Sequence, residues 1–172
     1  DNSAPALLDV IDSPLKAAKP SAYQRENWVI EPGIRWHKSG HYDRKYLRTL
    51  AVKKGPLWIN GSSSRDGEND YVPIDETKGF VRSLILASVD DLGLRVSKFE
   101  DKLRLRAIFA LGNTRYNLRV TDPVVEDKYF ERGIGEYHVG RSYITVGLGQ
   151  PYQGKAYKLA AAIIPENVDG HI

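Results

Sequence analysis

Apolar and polar residues alternate with a period of two from Leu94 to Asp122, in runs that fold back on one another. Successive strand side chains point to opposite faces. Leu103, Leu105, Ala107 and Phe109 therefore share one face, and Arg104 and Arg106 the other. Gly112-Asn113 reads as a two-residue hairpin turn, since both residue types tolerate positive φ. Folding about it sets Phe109 opposite Tyr116, Ala107 opposite Leu118, Leu105 opposite Val120 and Arg106 opposite Arg119. A preceding hairpin about Glu100-Asp101 sets Val96 opposite Leu105, Leu94 opposite Ala107 and Arg95 opposite Arg106. Three arginines thus form one row across three strands, expected on the solvent-facing side. Like charges directly opposite on a sheet are destabilising, so the row points to an anionic partner and to a binding surface.

The same pattern extends on both sides. Ser83 to Val89 is a β-run, and Asp90, Asp91 and Gly93 interrupt it before Leu94 to Phe99 resumes, as in one long strand with a bend or bulge at Gly93. Asp122-Pro123 marks a helix start, with Asp122 capping and Pro123 in the first turn. That helix covers Val124 to about Arg132 and stops at Gly133. Gly135 to Gly140 reads as a connection or a short extra hairpin. Tyr143–Leu148 and Lys155–Ile164 form a closing hairpin around 149–154, and Ala160 to Ile164 is apolar on both faces, as in a doubly buried strand. A bent long strand, two meander strands, a helix and a hairpin make up the order of the OB-fold, a five-stranded Greek-key barrel that commonly binds oligonucleotides or oligosaccharides.

The N-terminal half is less regular. Leu7 to Ile11, Glu26 to Ile30 and Pro56 to Asn60 are short β-runs, and Lys16 to Tyr23 is a polar connection. His41 to Val52 carries a helical spacing through Tyr42, Tyr46, Leu47 and Leu50. These pieces resemble the later part of a second small barrel, with too few strands to close it. The expected fold is all-β with minor helices: two OB-like small barrels, an incomplete N-terminal module with one helix over 1–80 and a five-stranded barrel over 81–172.

Composition changes this picture in three places. The net charge is only +3, but it is unevenly spread. Between Arg95 and Thr121 seven basic residues face two acidic ones, a local +5; between Arg65 and Glu76 five acidic residues face one basic, a local −4. Local charge is what sets a binding footprint. Zero cysteines exclude disulfides, thiol catalysis and cysteine-ligated zinc, in keeping with a reducing cytosol. No apolar run approaches the roughly 18 residues of a membrane span, so no membrane association is expected. The chain opens without a methionine, which fits a processed or trimmed piece of a longer protein.

The segments Leu7-Leu-Asp-Val-Ile-Asp-Ser-Pro-Leu15, Tyr23-Gln-Arg-Glu-Asn-Trp-Val-Ile30, Leu57-Trp-Ile-Asn60, Val120-Thr-Asp-Pro-Val-Val-Glu126 and Tyr157-Lys-Leu-Ala-Ala-Ala-Ile-Ile-Pro165 resemble the bacterial dual OB domain proteins. The resemblance spans about Leu7 to Pro165, and its motifs are structural rather than catalytic. It implies further strands before the equivalent of Leu7, supplied by another segment or left open. It also implies ligand binding in a bacterial cytoplasmic setting, with nucleic acid in conflict systems such as anti-phage defence as the suggested context. No activity is implied.

Candidate chemistry is sparse. Arg95, Arg106 and Arg119, flanked by Arg104, Arg115 and Asn117, can grip phosphates without reading sequence; the blander reading is a solvated face whose arginine stems cover apolar surface. Single-strand binders add aromatic platforms, for which Tyr143, Tyr152 and Tyr157 near the last hairpin are candidates, with Lys155 beside them. Tyr116 points inward, and the short acidic Glu100-Asp101 turn departs from the long basic loop common in nucleic-acid-binding barrels. Trp28, Trp36 and Trp58 with Tyr23 and Tyr46 read as the core of the N-terminal half ahead of an aromatic pocket. Gly61-Ser62-Ser63-Ser64-Arg65 can cradle an anion through its backbone amides but does not match a P-loop; a mobile surface loop is the plainer reading. His37 and His41 read as solvated loop residues rather than metal ligands. Asp90-Asp91 and Asp9/Asp12 lack the partners that acid–base chemistry needs. No catalytic residue, metal or cofactor is expected. The site is Arg95, Arg104, Arg106, Arg115, Asn117, Arg119, Tyr152 and Lys155, and the ligand a single-stranded nucleic acid or nucleotide. The alternative is a protein-interaction scaffold whose open N-terminal module a partner strand completes.

Overall fold

The structure, a computed structural model, describes residues 5–166. Its first strands are β1 (Asp9–Asp12), β2 (Leu15–Ala18), β3 (Trp28–Ile30) and β4 (His37–His41). A 3-10 turn, Arg44–Tyr46, leads into α1 (Leu47–Leu50), and β5 (Tyr71–Pro73) follows with a second 3-10 turn, Ile74–Thr77. The remainder is β6 (Leu84–Phe99), β7 (Lys102–Leu111), β8 (Thr114–Val120), α2 (Pro123–Arg132), β9 (Gly135–Leu148) and β10 (Lys155–Pro165).

Sixteen residues make β6 long enough to serve two neighbours. It pairs with β7 from Leu92 to Phe99 and with β9 from Leu84 to Val96. The register slips between Val89 and Leu92 and again between Leu92 and Gly93. Opposite this bend, Gly140 adopts φ +81°, a conformation that glycine reaches at no steric cost. Bulges of this kind bend a strand and raise its twist. β7 continues to β8, β8 lies parallel to β10, and β10 returns antiparallel to β9, so the five strands close into a ring. This is the barrel with one helix between its third and fourth strands that the element order predicts. Both meander registers also match, down to Arg95 opposite Arg106 and Arg106 opposite Arg119.

The alternation fills the barrel. Leu94, Val96, Leu105, Ala107, Leu118, Val120, Ile144 and Val146 are buried inside it. Tyr129 of α2 is buried in the same cluster. Asp122 starts that helix: its Oδ1 accepts from the Val124 and Val125 amides, and its Oδ2 accepts from Ile163 N at 3.3 Å. The last bond takes up an amide beside the β10 bulge between Ala160 and Ala162. Elsewhere, Leu57 donates its amide to Tyr116 Oη at 3.0 Å, and Tyr116 donates to Asn60 Oδ1 at 2.9 Å.

Several expectations for the first eighty residues are corrected. Among the described residues β1 pairs with β4 and β2 with β3, as two separate ribbons. The helix expected over His41 to Val52 shrinks to the 3-10 turn and α1, because His41 is taken into β4. Pro56 to Asn60 forms no strand, the expected connection at Lys16 is part of β2, and Gly135 to Gly140 belongs to β9. β5, from before residue 80, adds to the edge of β10. Trp28 and Tyr46 are exposed, so they are not core. Tyr23 is buried against Val72, Leu148 and Ala156, and Leu47 against Tyr143 and Ile164, so these residues pack onto the barrel and have no core of their own. Glu26 Oε1, accepting from Ser83 N and Oγ at 2.6 Å each, adds a further tie.

Candidate anion-binding face

The arginine row lies on the outer face of the barrel, but its middle member does not face solvent. The Arg106 side chain is only 13% exposed. Its Nε donates to Asn117 Oδ1 at 2.7 Å, and its Nη2 donates to Asn117 O at 2.6 Å and to Asp70 Oδ2 at 3.3 Å. Burial pulls the Arg106 guanidinium below its usual range, and the Asp70 charge pulls it back. Asp70 is itself buried. The acidic stretch that reads as a separate region of the chain folds over the basic one.

Its hold is specific. Ser64 donates to Asp70 from both N (2.7 Å) and Oγ (2.6 Å). Asn69 Oδ1 accepts from Gly61 N, and Asn69 Nδ2 donates to Arg115 O. Glu68 and Asn117 exchange backbone hydrogen bonds at 3.3 and 3.0 Å. Gly67 passes so close that an added Cβ would meet Asp70 Oδ2 at 1.9 Å. The glycine-serine segment is therefore a turn fastened by hydrogen bonds to Asn69 and Asp70. The anion that its Ser64 amide cradles is the chain's own Asp70.

Arg65 donates to Asp66 from Nε at 3.1 Å and from Nη2 at 3.3 Å, whereas the strand arginines hold looser partners. Arg95 Nε lies 3.5 Å from Glu136 Oε1, Arg104 Nη1 3.8 Å from Asp66 Oδ2, and Arg115 Nε 3.7 Å from Glu68 Oε2, with both members of each pair solvent-accessible. Such exposed pairs are worth roughly 0–1 kcal/mol, so an incoming anion displaces them at little cost. Arg95 Nε is buried without a hydrogen bond. Arg104 and Arg65 stand over the Phe99 ring at 4.1 and 4.9 Å. Phe99 follows Arg95 and Ser97 at strand period two, which places it on the outer face; Arg65 and Asp70 arrive from far along the chain with no local signal.

Two hollows flank this centre. One, of about 590 Å³, is lined by Arg65, Arg95, Ser97, Phe99 and Asn117 among others. The other, of about 420 Å³, is lined by Arg119, Gln150, Tyr152, Tyr157 and Leu159 among others. Asp66, Arg104 and Arg106 line both. Of the sequence-derived site, Arg95, Arg104, Arg106, Asn117, Arg119 and Tyr152 are brought together here. Arg115 and Lys155 line neither hollow; the Lys155 ammonium stands 4.7 Å over the Tyr71 ring. Tyr143 is buried and offers no platform, whereas Tyr157 is partly exposed.

Lys158, alternating with Tyr157 and Leu159 along β10, is 1% exposed. It donates to Ile59 O at 2.7 Å and Asn60 Oδ1 at 3.1 Å. Burial lowers its pKa to about 8, opposed by Asp70. His37 and His41 lie in β4 opposite Asp12 and Asp9, at 3.2 and 3.4 Å. Among the described residues no group of three or more His, Cys, Asp or Glu is placed to hold a metal, and no helix is long and apolar enough to cross a membrane.

Comparison with known proteins adds one finding: the model of a family described as a dual OB-containing domain matches residues 1–163. Searches of curated proteins and of solved structures returned no match.

Proposed function

We propose that this chain, which belongs to the dual OB-containing domain family, is a non-catalytic module that binds single-stranded nucleic acid or a nucleotide, acting in a bacterial cytoplasm. An OB-fold is in the first place a binding module. The observation that carries the ligand class is the clustering of Arg65, Arg95, Arg104 and Arg119 around two hollows that each also contain an aromatic ring. Guanidinium groups pair with phosphate, and aromatic or guanidinium planes stack with bases without demanding a sequence. Arg106 and Asn117 serve as the floor: their mutual bonds and the pair with Asp70 hold the outer face in place. The test is a salt titration of oligonucleotide binding. Three arginine–phosphate contacts give a slope of about −2 in log K against log salt for a single strand. Replacing Arg95 and Arg119 by alanine should flatten it to about −0.7. An unchanged slope would move the site elsewhere.

A second reading, a protein-interaction scaffold, is favoured by one observation. Leu15, Trp28 and Ile30 are 51, 52 and 59% exposed on the β2–β3 ribbon. Open ribbon edges invite strand pairing. Slow hydrogen exchange at residues 26–30 only after addition of a partner would support that reading; exchange as slow as in 157–164 in the lone chain would dismiss it.

A further inference from the structure

The two hollows adjoin. The first has cations at Arg65 and Arg95 with a ring at Phe99; the second has a cation at Arg119 with rings at Tyr152 and Tyr157. Both volumes, about 590 and 420 Å³, fall within the ~300–1,000 Å³ range of small-molecule sites, so each has room for one nucleotide unit. The partition between them consists of Arg104 and Arg106, with Asp66 beside them. Of the two arginines, Arg106 is committed to Asp70, while the contact of Arg104 with Asp66 is long. A cation with a displaceable counter-ion therefore stands where a linkage between two units would pass. Neighbouring strands lie ~4.8 Å apart, so Arg95 and Arg119, two ladders apart, are separated by roughly 10 Å along the row.

Resting on the proposed function, we infer that the ligand is a chain of at least two linked nucleotides and not a mononucleotide. One base lies on the Arg104–Phe99 layer, the next lies on Tyr152 or Tyr157, and the intervening phosphodiester lies at Arg104. Asp66 yields its contact with Arg104 as the linkage enters. This arrangement reads the spacing of phosphates and rings and leaves the base edges unread.

The test uses the full chain at low salt with thymidine 5′-monophosphate, the 5′-phosphorylated dithymidylate and tetrathymidylate. The dinucleotide should bind at least tenfold tighter than the monophosphate, and tetrathymidylate only a few-fold tighter again. Tyr152→Ala, an exposed position, should pull the dinucleotide towards the monophosphate, and Phe99→Ala should do the same from the other lobe, with thermal melts confirming the fold. If tetrathymidylate binds with a salt slope that depends on Arg95 and Arg119 while the monophosphate and dinucleotide bind alike, the two-lobed site is refuted and the anion-binding face stands. If tetrathymidylate does not bind at all, both readings fall.

Discussion

Buried charge separates the residues that hold this face from those free to use it. Arg106 and Asp70 are both nearly buried, and removing one member of such a pair leaves an uncompensated charge that costs about 3–5 kcal/mol. Asp70→Asn should therefore lower unfolding stability by about that amount, as read by urea denaturation. A loss below about 1 kcal/mol, the range of an exposed pair, would mean that the pair is solvated. Lys158 provides a second check at this scale. Its native pKa is about 8 against an ordinary 10.5, so the unfolded chain binds more protons between those values and stability should rise with pH across that window. The difference corresponds to roughly 3 kcal/mol. Lys158→Met should flatten the rise between pH 8 and 9, where nearly all tyrosine is still protonated. Parallel pH profiles for the two proteins would show that Lys158 titrates normally. Neither Asp70 nor Lys158 stands out in the sequence, because what distinguishes them is burial brought about by contacts with distant segments.

Within the elements, long strands with a clear alternation and short turns were legible, and the pairing of strands of three or four residues was not. The period-two alternation and the short turns fixed both meander registers, and Asp122-Pro123 marked α2, because each signal is local. β5 was missed because three residues carry no period, and its partner β10 lies some eighty positions on. The aromatic residues of the N-terminal half misled because Trp28 sits on a ribbon with no layer above it, while Tyr23 is buried on the barrel. The candidate site was half legible for the same reason. Its arginines share the parity of their strands, whereas the turn that covers them comes from outside the barrel. The Glu100-Asp101 turn is a local prediction. Both residues adopt positive φ, 47° and 61°, which costs a residue other than glycine roughly 1–2 kcal/mol. Glu100→Asn with Asp101→Gly supplies the residues this turn prefers and, net of the exposed Lys98–Asp101 pair it removes, should raise stability by about 1 kcal/mol as the strain is relieved. An unchanged melting temperature would show that the strain is relieved elsewhere. Asp66→Asn should tighten oligonucleotide binding several-fold by removing a competing counter-ion from Arg65 and Arg104, as measured by fluorescence anisotropy. Weakened binding would assign Asp66 to ligand contact.

Taken whole, the molecule is a closed five-stranded barrel to which two ribbons are joined by the segments carrying Tyr23 and Leu47, and two of its surfaces invite a partner: the arginine-lined outer face and the apolar β2–β3 ribbon. They differ in chemistry, so a ligand that uses one leaves the other unchanged. The most direct discrimination is residue-resolved. Backbone amide shifts of the uniformly labelled chain, followed while tetrathymidylate is added at low salt, map contact without any substitution. The account predicts saturable shifts at Arg95, Ser97, Phe99, Arg104 and Arg119, in the 64–68 turn and around Tyr152. Residues of β2 and β3 should stay still. Shifts confined to Leu15–Ala18 and Trp28–Ile30, or none on the arginine face at millimolar ligand, would contradict it.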